Sequence, residues 1–183
     1  MVRNIILILI VILILFILWF HRYPMDMRIF DNDDIVYSPA YGRIMKIQYL
    51  EGNKLHIAIY LSPTDIHRQY IPINGKIVGK TYDKTGKFAL AYKANKSDDN
   101  EKYITELETK YGEMKIYQIA GKMVRRISNY MTIGQVVNTG EPMGIIHFGS
   151  RVDIIIPNVS LFKLLVKEGD YMKGLDSKIG YYF

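Results

Sequence analysis

Cysteine is absent from the 183 residues, which excludes disulfides and thiolate metal sites and permits a reducing compartment without requiring one. No metal is expected. Charge is not in excess either: 23% of residues are charged against 49% apolar, a balance that argues against an intrinsically disordered chain. There is also no small-residue cleavage site after the N-terminal apolar run. The run ends instead in Trp19-Phe20-His21-Arg22-Tyr23-Pro24, bulky and basic, so it reads as a retained anchor rather than a secretory signal. The formal net charge of +6 suits residence near an anionic lipid surface, and solubility alone would explain it equally well. No nucleic-acid partner is expected.

Ile5 to Phe20 is unbroken Ile, Leu and other apolar residues. As a helix it spans about 24 Å, slightly short of the ~30 Å hydrocarbon core. Trp19 at the interface and Arg3 and Arg22 snorkelling outward make up much of the difference. Positive charge flanks both ends, so orientation stays open. Residues 1–22 are therefore expected to be a membrane anchor. Residues 23–34 are a linker, with Pro24 closing the helix and Asp31-Asn32-Asp33-Asp34 polar. Residues 35–183 are long enough for a single core.

That body reads as mainly β, a compact barrel- or sandwich-like domain behind one hydrophobic helix. Strand-like runs lie at Arg43–Tyr49, Lys54–Leu61, Lys76–Val78, Met114–Ile119, Gly144–Phe148, Val152–Ile156 and Leu161–Val166. Glu51-Gly52-Asn53 marks a hairpin. Gly121–Tyr130 fits a strand or a short helix, and Lys93–Glu101 has the composition of a surface loop. Two internal echoes appear. Pro39-Ala-Tyr-Gly42-Arg-Ile44 is similar to Pro72-Ile-Asn-Gly75-Lys-Ile77, and Gly134–Gly140 to Gly169–Gly174; the second pair has the turn-rich pattern of lipoyl- and biotinyl-carrier folds.

Chemistry centres on Gly144–Pro157, two short apolar strands with Gly149-Ser150 at the joint. A Gly there frees the backbone. Taken alone, the pair reads first as a tight turn or bulge; the sharper reading is a self-cleaving bond in which Ser150 attacks the Gly149 carbonyl, and these two residues do not decide for it.

Six landmarks in one order bear on that choice. They are Arg22-Tyr23-Pro24; Ser38-Pro39-Ala40-Tyr41-Gly42-Arg43-Ile44; Leu61-Ser62-Pro63-Thr64-Asp65-Ile66-His67 with Pro72 and Gly75; Asn100-Glu101; Ile119-Ala120-Gly121 with Arg125-Arg126-Ile127; and Phe148-Gly149-Ser150-Arg151-Val152-Asp153 leading to Pro157. From about Tyr23 to the C-terminus the chain resembles the phosphatidylserine decarboxylases, most closely their short, archaeal-type branch. Loss of CO2 from an amino acid leaves a carbanion that needs an electron sink, usually pyridoxal phosphate held on a Lys. The resemblance implies instead a pyruvoyl group made from Ser150, with no pyridoxal phosphate. The cut between Gly149 and Ser150 would give fragments 1–149 and 150–183 that stay together as a heterodimer. The substrate would be phosphatidylserine in the membrane and the product phosphatidylethanolamine; a homo-oligomer is left open.

The same resemblance assigns His67 as the residue that exchanges protons near the pyruvoyl. His147 alternates with apolar neighbours and reads as structural, while His56 and His21 read as surface and membrane-interface residues. Arg125, Arg126 and Arg151 suit a phosphate or carboxylate, which Arg grips in a planar fork, and equally suit an exposed charged sheet edge. Asp65 and Asn100-Glu101 also match family positions. One departure stands out. The family's Ser-Pro-Ala-Asp-Gly reads Ser38-Pro39-Ala40-Tyr41-Gly42 here, and a phenol, with a reference pKa near 10, is a poor base. Arg43 is the nearby cation that could lower it, and Asp153, Glu101 and His147 are the other candidate bases. The alternative is therefore a member that does not cleave and serves as a lipid- or partner-binding module.

Overall fold

In the computed structural model, which describes residues 2–24, 32–84, 100–121, 126–147 and 150–183, the apolar run forms one helix, α1 (Val2–Phe20). Its 19 residues make it about 28 Å long, three residues longer at the N-terminus than the apolar run and close to the bilayer core. Its Ile and Leu side chains are exposed all round, and only Phe20 is buried.

The body is β, and its elements come in this order. They are β1 (Ile35–Tyr37), β2 (Gly42–Leu50), β3 (Lys54–Leu61), β4 (Arg68–Tyr70), β5 (Gly75–Asp83), β6 (Lys102–Thr109), β7 (Gly112–Ala120), β8 (Arg126–Asn129), β9 (Val136–Val137), β10 (Pro142–His147), β11 (Ser150–Ile156), β12 (Phe162–Leu164), β13 (Tyr171–Met172) and β14 (Lys178–Tyr182). A 3-10 turn, Val159–Leu161, precedes β12. The main sheet has the order β13-β2-β3-β11-β7-β6-β5-β9 and curls into a half-barrel; β4-β10-β8 and β1-β14-β12 are two smaller sheets. At the β2–β3 turn, Gly52 and Asn53 take φ of 74° and 59°, conformations that Gly and Asn tolerate best.

The main sheet is built twice, and the sequence echoes mark the two copies. Gly42 and Arg43 pair with Met172 and Tyr171, as Gly75 and Lys76 pair with Val137 and Val136. The Ile44 amide donates to Asp170 O and the Gly169 amide to Ile44 O; the Ile77 amide donates to Gln135 O and the Gly134 amide to Ile77 O. Each first strand carries a bulge at the same place, Ile44/Lys46 and Ile77/Gly79. The two copies meet at the sheet centre, where β11 lies between β3 and β7 with every residue from Ser150 to Ile155 paired on both sides.

Period-2 alternation decides which side chains of β11 enter the core. Val152, Ile154 and Ile156 join Ile57, Ile59, Leu61, Met114 and Ile116 there, so Ser150 shares the core-facing parity. Arg151, Asp153 and Ile155 face the other way. The sequence-predicted strand starts at Val152, two residues late, because Ser150 and Arg151 carry no β-propensity that would reveal the ladder extending over them. Of Gly121–Tyr130, residues 126–129 form strand and 122–125 lie outside the described residues. Of the predicted Lys93–Glu101 surface loop, 93–99 lie outside them too, while Asn100 and Glu101 are buried. Asn100 donates to Ala120 O at 2.8 Å, and Tyr82 donates to Glu101. Both polar groups are therefore satisfied inside, which composition does not reveal.

Candidate active site

The Ser-Pro turn after β3 is locked by Asp65. One carboxylate oxygen accepts from the Ser62 amide at 2.7 Å and the other from the Tyr171 hydroxyl at 2.6 Å. Burial and this bond push the Tyr171 phenol up to about 12. The Asp65 carboxylate is thus occupied in shaping the loop. Its backbone carbonyl lies 2.9 Å from His67 Nδ1. A carbonyl can only accept, so Nδ1 carries the hydrogen and Nε2 the lone pair.

His67 is fully buried. The Phe20 ring from the end of α1 lies 4.5 Å from it, centroid to centroid. Burial lowers its pKa from 6.5 to about 4, against the opposing pull of the Asp65 carbonyl and with Arg22 and His147 adding to the fall. The imidazole is neutral at pH 7. Its backbone carbonyl is held twice, by the Ile146 amide at 3.1 Å and by Gln69 Nε2 at 2.7 Å.

Ser150 opens β11, opposite Leu61 on one side and Ala120 on the other. The Ser62–His67 loop therefore starts beside Ser150 and ends against β10, the strand that runs towards it. Gly149, the predicted partner in cleavage, lies outside the described residues, as do Phe148 and Arg125. Ser150 itself is fully buried, and its hydroxyl has no hydrogen-bond partner among the described residues. An unmet buried hydroxyl costs about 1–3 kcal/mol, and such a group calls for an explanation beyond packing.

Tyr41 sits half-buried in the β1–β2 loop. The loop is tied to β4, since the Tyr70 amide donates to Pro39 O at 2.9 Å. A Cβ on Gly174 would lie 2.8 Å from the Tyr41 ring, so glycine at 174 makes the room for that ring. Arg43, the cation expected to attend Tyr41, is exposed and donates to Gly169 O. The Tyr70 phenol is raised well above its ordinary value by burial first and the neighbouring Tyr41 second.

The remaining predicted residues are spread more widely. Arg126 is exposed at the start of β8, opposite His147 in the ladder. The His147 pKa is lowered by burial, His21 and Arg126, and its ring lies 5.4 Å from that of His21. Arg151 is on the far face of β11, in a bidentate pair with Asp153 at 2.7 Å for both bonds. His56, read as a surface residue, is part-buried with Nε2 2.7 Å from the same carboxylate. These three line a cleft of about 320 Å³ on the outer face of the sheet. Ser150 pairs with Leu61, where the loop that leads to His67 begins, and the Tyr41 loop is tied to β4 just beyond His67, while Arg151 and Asp153 lie on the other face of β11.

The sequence reading misses an amide chain behind His67. Gln69 donates to His67 O, Gln118 to Gln69, and Asn129 to both Gln118 and Thr105, with distances of 2.7–2.9 Å. Its signal is there in principle: Gln118 has the same parity as Met114 and Ile116 in a strand whose core face is otherwise apolar. Phe20 is missed because nothing local to an apolar helix says which residue docks.

A sequence profile of the phosphatidylserine decarboxylase family matches residues 13–179. The chain is 34% identical over 155 residues to a putative archaetidylserine decarboxylase proenzyme of Methanococcoides burtonii, covering 85% of this chain and 70% of that one. It is 36% identical to a phosphatidylserine decarboxylase proenzyme of Chlorobaculum tepidum (85% and 73% covered), and 31% identical to one of Carboxydothermus hydrogenoformans (94% and 82% covered). With nearly the whole chain matched in one continuous stretch, it belongs to the phosphatidylserine decarboxylase family.

Proposed function

We propose that this chain is a membrane-anchored proenzyme that cuts itself between Gly149 and Ser150 and then decarboxylates phosphatidylserine to phosphatidylethanolamine. The observation that carries this reading is the buried Ser150 hydroxyl, unpartnered among the described residues, at the head of the central strand and beside a loop that holds a neutral imidazole. In the cut, the Ser150 Oγ–carbon bond to Gly149 forms as the peptide C–N bond breaks. A base takes the hydroxyl proton, which passes to the departing nitrogen; Tyr41 stands where that base is expected, and His67 serves proton exchange in the decarboxylation that follows. Loss of the Ser150 Cα proton then expels the Gly149 carboxylate, and water replaces the resulting enamine nitrogen, released as ammonia, with a ketone. The pyruvoyl so made from Ser150 supplies the electron sink for the carbanion that CO2 leaves behind. The apolar surroundings of His67 disfavour a localised carboxylate relative to the dispersed charge that replaces it.

The fragment 150–183 stays bound through β11, which is paired along both edges, and through β13 against β2. α1 meets the length and apolarity of a membrane span. It anchors the body beside its lipid substrate.

A second reading is favoured by Tyr41. With a phenol where the family carries a carboxylate, and with Arg43 engaged to Gly169 O, the chain is an uncut lipid-binding relative. Denaturing gel electrophoresis with intact mass separates the two readings. Fragments ending at Gly149 and beginning with a borohydride-reducible carbonyl at 150 are expected, and Ser150→Ala leaves one full-length chain. An uncut wild-type chain recovered from its membrane would overturn the enzyme reading.

A further inference from the structure

Two more buried polar groups lack partners among the described residues: the Arg68 Nε and the Tyr70 hydroxyl. They sit two residues apart on β4, on the same face by strand alternation. Gln69 between them turns the other way, into the amide chain. The Arg68 guanidinium is already positioned. Its Nη2 donates to His21 O at 3.2 Å, and its carbon lies 3.4 Å from the centre of the Tyr23 ring. What is left over is one charged donor and one neutral donor, both dry, with no acceptor supplied to either by the described residues.

Resting on the reading of the chain as a lipid decarboxylase, we infer that Arg68 and Tyr70 form an oxyanion subsite that holds the phosphodiester of the substrate lipid. The Tyr70 phenol stays protonated, since burial holds it far above neutrality, so it donates and does not repel an anion. Depth in the membrane agrees. His21, whose carbonyl takes the Arg68 bond, comes directly after Phe20, the last residue of α1. If the helix spans the hydrocarbon, the guanidinium lies where lipid phosphates begin. Arg22 Nη2 donates to Thr64 O at 2.8 Å in the same corner, fastening the helix end to the loop that carries His67. The lipid would reach the site along the helix and take the place of Tyr23 against Arg68.

The substrate's carboxylate offers the same oxyanion chemistry, but an Arg gripping it would work against the reaction. Its charge leaves that group as CO2 departs, so the grip stabilises the ground state more than the transition state. The phosphodiester keeps its charge throughout.

The test uses the full-length, uncleavable Ser150→Ala chain in detergent micelles, with calorimetric titration of dihexanoyl phosphatidylserine, dihexanoyl phosphatidylcholine and free serine. Arg68→Gln should weaken binding of both lipids by roughly 10–100-fold, as for a charge-assisted hydrogen bond, and leave free serine unaffected. Tyr70→Phe should weaken both lipids by several-fold without lowering thermal stability, since it deletes only an oxygen that has no partner among the described residues. Unchanged affinity for both lipids in both variants overturns the subsite, as does a loss confined to the two carboxylate-bearing probes. Because no arm depends on cleavage, an uncut wild-type chain would refute the decarboxylase reading while leaving an Arg68-dependent phosphodiester site standing.

Discussion

Replacing Phe20 with alanine removes the ring that lies 4.5 Å from the His67 imidazole and lets water reach it. Burial is the largest cause of the fall in the His67 pKa from 6.5 to about 4, a difference worth about 3 kcal/mol at 1.36 kcal/mol per pH unit. The folded value lies below the unfolded one, so the fold favours the neutral form. That contribution is complete above pH 6.5 and is lost as the pH falls towards 4. With Phe20 gone, the midpoint should rise to roughly 5–6. It stops short of 6.5 because one ring is only part of what buries His67, and burial is the largest cause of the fall. The acid-induced loss of stability between pH 6.5 and 4 should shrink in step. NMR titration of the imidazole Cε1–H signals in the Ser150→Ala chain reads the midpoint directly, with His21, His56 and His147 assigned by single glutamine variants. A wild-type midpoint near 6.5, or one that does not move in Phe20→Ala, would refute the claim that the helix end dries the site.

Gln118→Leu leaves the Gln69 carbonyl without its donor and takes one acceptor from Asn129, a loss of about 2–4 kcal/mol readable as a lower urea midpoint at unchanged slope; wild-type stability would mean that water fills the gap. Gly174→Ala puts a methyl 2.8 Å from the Tyr41 ring and should cost about 1–3 kcal/mol, with the tyrosine near-ultraviolet circular dichroism changing alongside; a neutral result would show the ring is free to swing. Tyr41→Asp puts a carboxylate at the position proposed for the self-cleavage base and should speed appearance of the 150–183 fragment on gels; abolished cleavage would show that the phenol itself acts as that base.

Much of this architecture can be read from residue order, and the part that cannot has a physical reason. The helix is legible because sixteen apolar residues in a row, Ile5–Phe20, have no other stable arrangement beside water. The duplicated sheet is legible too: Pro39–Ile44 and Pro72–Ile77 keep the same turn and bulge, and Gly134–Gly140 and Gly169–Gly174 keep the strands that pair with them. Short strands such as β4, β9 and β13 escape notice because two or three residues hold no periodicity. For the site, His67 and Ser150 stand out through their neighbours in sequence. The groups that set their chemistry are remote: Phe20 comes from the anchor, Tyr171 from near the C-terminus, and Gln118 from a strand across the sheet. Arg151 lies apart from Ser150 for a related reason. Adjacency to Ser150 suggests a shared site, whereas strand alternation sends neighbouring side chains to opposite faces, and Arg151 ends against Asp153.

That alternation also bears on how the fold could survive a cut at the centre of its main sheet. β11 is paired on both edges from its first residue, so a break just before Ser150 removes a connection and no ladder hydrogen bond of the strand itself. Behind the break, Val152, Ile154 and Ile156 are fully buried in the core, and burial of apolar side chains at about 1.5–3 kcal/mol each holds the strand without covalent help. A bond at a sheet edge would have no such retention. A bond in mid-strand would sacrifice pairing on both sides. A break at the head of the innermost strand would leave Ser150 as a buried chain end beside the loop that leads to His67, with the paired strand behind it intact.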